Sequence, residues 1–137
     1  MMEFDEFVRQ GLVSRHSKDA ARTRNLIIES GNRMRFLRSI KKTGENAGYI
    51  VENAYDIIRE LTEARLSLDG YKSSSHEATV AYLRKLGFPE ADVIFIDEMR
   101  KTRHKIKYYG KTVDIDYALS VLEFLGSIYE KLLKLSK

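Results

Sequence analysis

The sequence predicts an all-α fold, an antiparallel up-and-down four-helix bundle with additional short helices, in a single domain over residues 1–137. Three observations predict it. Apolar residues recur at three- and four-residue spacing over long stretches. Proline occurs once, at Pro89, and most glycines sit where a helix has to stop. The links between the long periodic stretches are short, which makes consecutive helices antiparallel neighbours.

A first short amphipathic piece, Glu3 to Gln10, carries Phe4, Phe7 and Val8 and ends at Gly11. A long helix is expected from about Lys18 to Ile40, with Ser17 as N-cap and Ile27, Met34, Leu37 and Ile40 as its buried stripe. Gly31 in its interior suggests a close approach or a kink. Glu45 to Leu68 has the cleanest period, with Ala47, Ile50, Ala54, Ile57, Ile58, Leu61, Ala64 and Leu68 on one face, and Asp69-Gly70 stops it. Ser74 or Ser75 then caps a short helix to Leu86, with Glu77 among its first residues and Val80, Leu83 and Leu86 inward.

Gly87-Phe88-Pro89-Glu90 is a break and restart, with Pro89 near the first turn of the next helix. That helix, about Glu90 to Lys107, places Phe95, Met99, Thr102 and Ile106 on one side and Arg100, Arg103, His104 and Lys107 on the opposite one. Gly110 closes it. Asp114 offers a cap for a final amphipathic helix, Ile115 to Leu135, with Ala118, Val121, Leu122, Leu125, Ile128, Leu132 and Leu135 inward.

Composition narrows the function classes. A chain of 137 residues can bury a core without staples, and the absence of cysteine excludes disulfides and thiolate metal sites, so an intracellular, cytoplasmic setting is the expectation. His16, His76 and His104 are far apart in sequence and suggest no metal site; no cofactor is implied. No apolar run is long enough to span a membrane, and the start, Met-Met-Glu-Phe-Asp-Glu, is acidic where a signal peptide would be basic.

The net charge of +4 is modest, but it is unevenly spread. Met1 to Lys42 holds ten Lys/Arg against five Asp/Glu, whereas Thr43 to Gly70 holds two against six, so the two segments should attract each other as neighbouring helices. Within the second segment Glu52, Asp56, Glu60 and Glu63 lie at helical spacing and are expected to face water or pair with a basic helix.

No phosphate-binding glycine loop, dinucleotide fingerprint, zinc-protease motif or nucleophilic cysteine is present, so any chemistry has to be built from Arg, His, Tyr and carboxylates. Arg100, Lys101, Arg103, His104, Lys105 and Lys107 crowd two helical turns, and no acid lies between Glu98 and Asp114. Such a field holds a phosphate, and Arg is the side chain suited to gripping one with two bonds. His104 is a candidate acid or base near neutral pH, with Tyr108 one turn later in reach of the same ligand. Ser73-Ser74-Ser75-His76-Glu77 reads mainly as cap and turn, with His76 a minor addition to the ligand surface.

Three segments, Leu68-Asp69-Gly70-Tyr71, Ser75-His76-Glu77-Ala78-Thr79-Val80-Ala81-Tyr82-Leu83 and Arg100 through Gly110, together resemble the HEPN family of small helical domains. The resemblance runs from about Gly44 onward. It implies a helical bundle that dimerises with its motif facing the partner. Many members are metal-independent ribonucleases, often toxins beside a minimal nucleotidyltransferase antitoxin, and others bind nucleotides or act as non-catalytic modules.

The family signature is an arginine, four to six variable residues and a histidine, often with asparagine after the arginine. Laid on this chain, Arg103 takes the arginine position, His104 the asparagine position, and Tyr108 stands where the histidine belongs. An unperturbed tyrosine is a poor base at neutral pH, so the resemblance implies binding more than cutting.

The leading expectation is thus a homodimeric module that binds a nucleotide or RNA phosphate through Arg100, Arg103, His104, Lys107, Tyr108 and, secondarily, His76. The alternative is a metal-independent ribonuclease using Arg103, His104 and Tyr108, restrained by a nucleotidyltransferase partner. A third reading is a protein-interaction module.

Overall fold

The computed structural model describes residues 1–137. In chain order they form α1 (Phe4–Arg9), β1 (Val13–Arg15), α2 (Ala20–Ser39), α3 (Ala47–Leu68), β2 (Tyr71–Ser73), α4 (His76–Lys85), α5 (Glu90–Tyr109) and α6 (Ile115–Leu135). The protein is a helical bundle of four long helices with two short ones, as the sequence predicts. No helix is long and apolar enough to cross a membrane.

The bundle is organised around α3, which packs against α2, α4, α5 and α6. Its predicted stripe is buried except for Leu68, which is half-buried, and Asp56, Glu60, Thr62 and Ser67 on its other faces are buried as well. A helix enclosed on nearly every side has to satisfy those polar groups internally. Thr23 of α2 donates its hydroxyl to the Ala64 carbonyl at 3.1 Å, while further along α2 Arg33 donates to Asn53 Oδ1 at 3.0 Å, so α2 and α3 are antiparallel. At the other end a β-carbon on Gly48 would sit 3.6 Å from Ile106, which brings the start of α3 to the end of α5. Arg65 donates to the Leu135 carbonyl at 3.4 Å, so α3 and α6 finish together and run parallel.

Met34 and Leu37 of α2, Ile50, Ile57 and Leu61 of α3, Val93, Ile96 and Met99 of α5, and Val121 and Leu125 of α6 build the main core. A second, smaller core joins Phe4 and Phe7 of α1 to Leu66, Ala78, Ala81 and Tyr82. Here the structure corrects the wholly helical reading of the N-terminal region. β1 pairs antiparallel with β2, Val13 opposite Ser73 and Arg15 opposite Tyr71, and this three-residue ladder ties α1 to the α3–α4 connection. Strands this short carry no readable alternation.

Three further expectations on α2 are revised. Its N-cap is Asp19, which accepts from the Arg22 amide at 2.9 Å, and Ser17 lies outside the helix. Its buried face runs through Thr23, Ser30, Met34 and Leu37, leaving Ile27 and Ile40 half-buried. Helix α2 continues unbroken past Gly31, whose added β-carbon would meet only the end of the Arg35 side chain at 3.7 Å. The other expected caps are in place: Ser75 accepts from Ala78 N at 3.1 Å and Asp114 from Tyr117 N at 2.8 Å.

Candidate anion-binding site

Helix α5 divides the basic residues into two sets. Arg100 and Arg103, three residues apart, turn toward the bundle, and the Arg103 side chain keeps only 14% of its area exposed. His104, Lys107 and Tyr108 face outward. There the His104 ring lies 4.7 Å from that of Tyr108 and 5.8 Å from that of Tyr109, and the Lys107 ammonium sits 5.6 Å over Tyr108. The set Arg103, His104 and Tyr108 therefore does not converge on one point. Lys107 instead lines a cleft of about 360 Å³ at the start of α3, across from Gly44, Gly48 and Tyr49 and beside Lys111.

The expectation of an unneutralised field is also corrected. Arg100 donates Nε to Asp97, one turn earlier, at 2.7 Å, and Arg103 Nη2 lies 3.4 Å from Asp56, which α3 supplies. A gap in the acidic residues along one helix says nothing about what a neighbouring helix presents. The α3 acids meet arginines, not water: Arg33 donates to Glu60 at 2.9 Å and lies 3.8 Å from Asp56, Arg59 donates to Glu63 at 3.1 Å, and Arg22 lies 3.7 Å from Glu63. The predicted attraction between the basic and acidic segments is thus realised as α2 on α3. Glu52 is the exception; it lines the cleft at the start of α3.

These pairs leave donors over. Arg59, which also reaches Asp56 at 3.4 Å, is held by Nε and Nη1, and Arg100 by Nε alone. Each guanidinium is gripped along one edge and offers the rest. Arg103 Nε is buried without a hydrogen-bond partner, and so is the phenol oxygen of Tyr55, a residue only 1% exposed. The Arg103 guanidinium carbon lies 6.0 Å from the Tyr55 ring centre. Counting all the ion pairs around Asp56, Glu60, Glu63 and Asp97, six cations face four carboxylates. The two extra cations in that count are Arg22 and Lys101 at the margins, whereas Arg59, Arg100 and Arg103 are matched by Asp56, Glu63 and Asp97.

His76 belongs to this neighbourhood. Ser75 caps α4, which makes His76 its first residue and sets the imidazole 6.2 Å, centre to centre, from the Tyr55 ring. Its ring makes no hydrogen bond within the protein and reaches solvent. Desolvation of its inner edge, then the charges of Arg59 and Arg103, push its pKa down, with Arg100 adding to the effect and Asp56 opposing it. The free imidazole is accordingly neutral at pH 7. Burial pushes the Tyr55 phenol well up, against the pull of Arg100, Arg59 and Arg103, so it remains a protonated donor.

The structure therefore joins Arg100, Arg103 and His76, and separates His104, Lys107 and Tyr108 from them. Two members, Tyr55 and Arg59, were missed in the sequence. Tyr55 lies just off the apolar stripe of α3, where a tyrosine passes as packing, and Arg59 passes as an intrahelical partner for Asp56 and Glu63. Compared with family models, with curated proteins and with solved structures, the chain matches none.

Proposed function

We propose that the protein is a HEPN-like module that binds the phosphate of a nucleotide or RNA, and that the grip is the cluster Arg59, Arg100, Arg103 and Tyr55 with the exposed His76 beside it. The observation that carries this reading is the pair of buried donors without partners, Tyr55 Oη and Arg103 Nε, together with the Arg59 and Arg100 donors that their carboxylates do not use. Buried polar groups are nearly always hydrogen-bonded, so two orphans in one arginine-rich neighbourhood call for an acceptor. The exposed rings of His104, Tyr108 and Tyr109 at the end of the same helix supply a surface on which a base can stack.

The resemblance extends this reading to a homodimer and to a minimal nucleotidyltransferase partner in a toxin–antitoxin pair. Cutting of RNA is disfavoured because His104 stacks on Tyr108 at the surface while Arg103 points inward. Titrating AMP and a short RNA at several salt concentrations tests the proposal. Wild type binds both, with affinity falling as salt rises, and Arg100→Ala with Arg103→Ala reduces the affinity at least about tenfold. Affinity unaffected by the double replacement would sink it.

A further inference from the structure

We propose that the protein holds a second anion site, distinct from the α5 cluster, where the β1–α2 connection meets the end of α3 and β2. It takes a tetrahedral oxyanion, a phosphate or sulfate, either free or as the end group of a nucleotide. A cavity of about 230 Å³, open to water, lies there, and its lining includes His16, Lys18, Asp19, Arg22, Ser67 and Lys72.

The observation that points to a ligand is Ser67. It is only 5% exposed, yet its hydroxyl makes no hydrogen bond within the protein. Nor is that hydroxyl sealed from solvent, since Tyr55 Oη and Arg103 Nε are the only side-chain polar atoms both buried and unpartnered, so it opens on this cavity. The other helical serines behave differently. Ser30, Ser39, Ser120 and Ser127 each donate to the carbonyl three residues back in their own helix, at 2.6–2.8 Å. A buried serine without that bond keeps its donor for whatever enters the cavity.

The charges around it select an anion. Lys18, Arg22 and Lys72 face one lining carboxylate, Asp19, and Glu63, 3.7 Å from Arg22, is the only further acid that pairs with them. Three cations against two carboxylates leave one positive charge before His16 is counted, and Lys18 and Lys72 are paired with no acid at all. Asp19 is partly occupied as well, because it accepts from the Arg22 amide as the cap of α2. The start of that 20-residue helix adds a partial positive charge of its own.

The walls are fixed by contacts of their own. His16 N donates to the Gly70 carbonyl at 2.7 Å, the His16 ring is held by Ser14 at 2.8 Å, and Thr23 donates to the Ala64 carbonyl at 3.1 Å. Donors therefore reach the cavity from three chain segments, around residues 16–22, at 67 and at 72. A tetrahedral ion directs its oxygens to several sides and suits that arrangement, whereas a carboxylate presents both of its oxygens in one plane.

NMR titration of the isotope-labelled protein with sodium sulfate, sodium phosphate and AMP, each against sodium chloride at matched ionic strength, tests this. Sulfate and phosphate are expected to shift the His16 ring and Ser67 amide signals together and to saturate, whereas chloride does not. AMP moves the same signals where the site accepts a nucleotide phosphate, and leaves them in place where it takes the free ion alone. Ser67→Ala weakens sulfate binding about three- to tenfold, the loss of one hydrogen bond. Lys18→Gln with Lys72→Gln, at two exposed positions where the fold tolerates change, weakens it at least about tenfold. Arg100→Ala with Arg103→Ala leaves it unchanged, which separates this site from the one on α5. The absence of a saturable shift beyond that of chloride, or wild-type affinity in both the Ser67 and the lysine variants, overturns the proposal.

Discussion

Gly70 shows how much one residue settles. It has φ +83°, in the left-handed region, and a β-carbon there would lie 2.9 Å from the carbonyl oxygen of His16. The Gly70 carbonyl in turn accepts from His16 N at 2.7 Å, extending the β1–β2 pairing. Gly70→Ala is expected to cost about 2–3 kcal/mol, from backbone strain and the clash together, and a urea melt measures it. That a glycine ends α3 was legible from Asp69-Gly70 alone. That it also admits the strand from residues 13–15 was not, because the close approach is made by backbone 54 residues away in sequence.

Asp56 is the other decisive single residue, since Arg33, Arg59 and Arg103 all converge on it. Asp56→Asn keeps the shape and an acceptor oxygen but releases Arg103 from its counter-charge. Stability is expected to fall by about 2 kcal/mol, less than for a fully buried pair because the arginines retain some solvent contact. Affinity for AMP is expected to rise severalfold in the same variant, by titration at fixed salt. Opposite signs for stability and binding distinguish a restraining carboxylate from one that merely holds the fold.

At the scale of elements, α5 shows what periodicity conveys and what it leaves out. Its apolar face was readable from Met99 and its neighbours, and its cationic residues from composition. Which cations turn inward was not, because that depends on Asp56 of α3 and on the cap at Ser75 that places His76. The α2–α3 pairing, in contrast, was announced by the charge asymmetry of the two segments.

Glu60 in that pairing titrates with a definite sign. Burial raises its pKa above the ordinary value, despite Arg33 and Arg59, which lower it. Its stabilising contribution is therefore full below the unfolded-state value and declines as pH rises through the folded one. Glu60→Gln keeps an acceptor for Arg33 and removes that decline, so relative to wild type the variant gains stability between pH 4 and pH 7. Paired urea melts at the two pH values check the sign.

For the molecule as a whole, α4 ties the two cores together: Val80 and Leu83 belong to the main core, and Ala78, Ala81 and Tyr82 to the N-terminal one. Tyr82 also donates its hydroxyl to Asp69 beyond the end of α3, which secures the helix that carries His76. Phe4 is 1% exposed and packs against the rings of Tyr71 and Tyr82 at 5.2 and 4.5 Å. Phe4→Ala is expected to cost about 3–5 kcal/mol. Because α4 is shared, unfolding should remain a single transition, with near- and far-ultraviolet circular dichroism curves superimposing.

The fold thus brings a capped helix start, an inward stretch of α5 and an acidic face of α3 to one point, the proposed place of the phosphate. A phosphate titration of the isotope-labelled protein followed by NMR tests this most directly. The account predicts that the side-chain signals of His76, Tyr55 and Arg103 shift together and saturate with one dissociation constant. Shifts confined to His104, Lys107 and Tyr108, with His76 and Tyr55 unmoved, would contradict it.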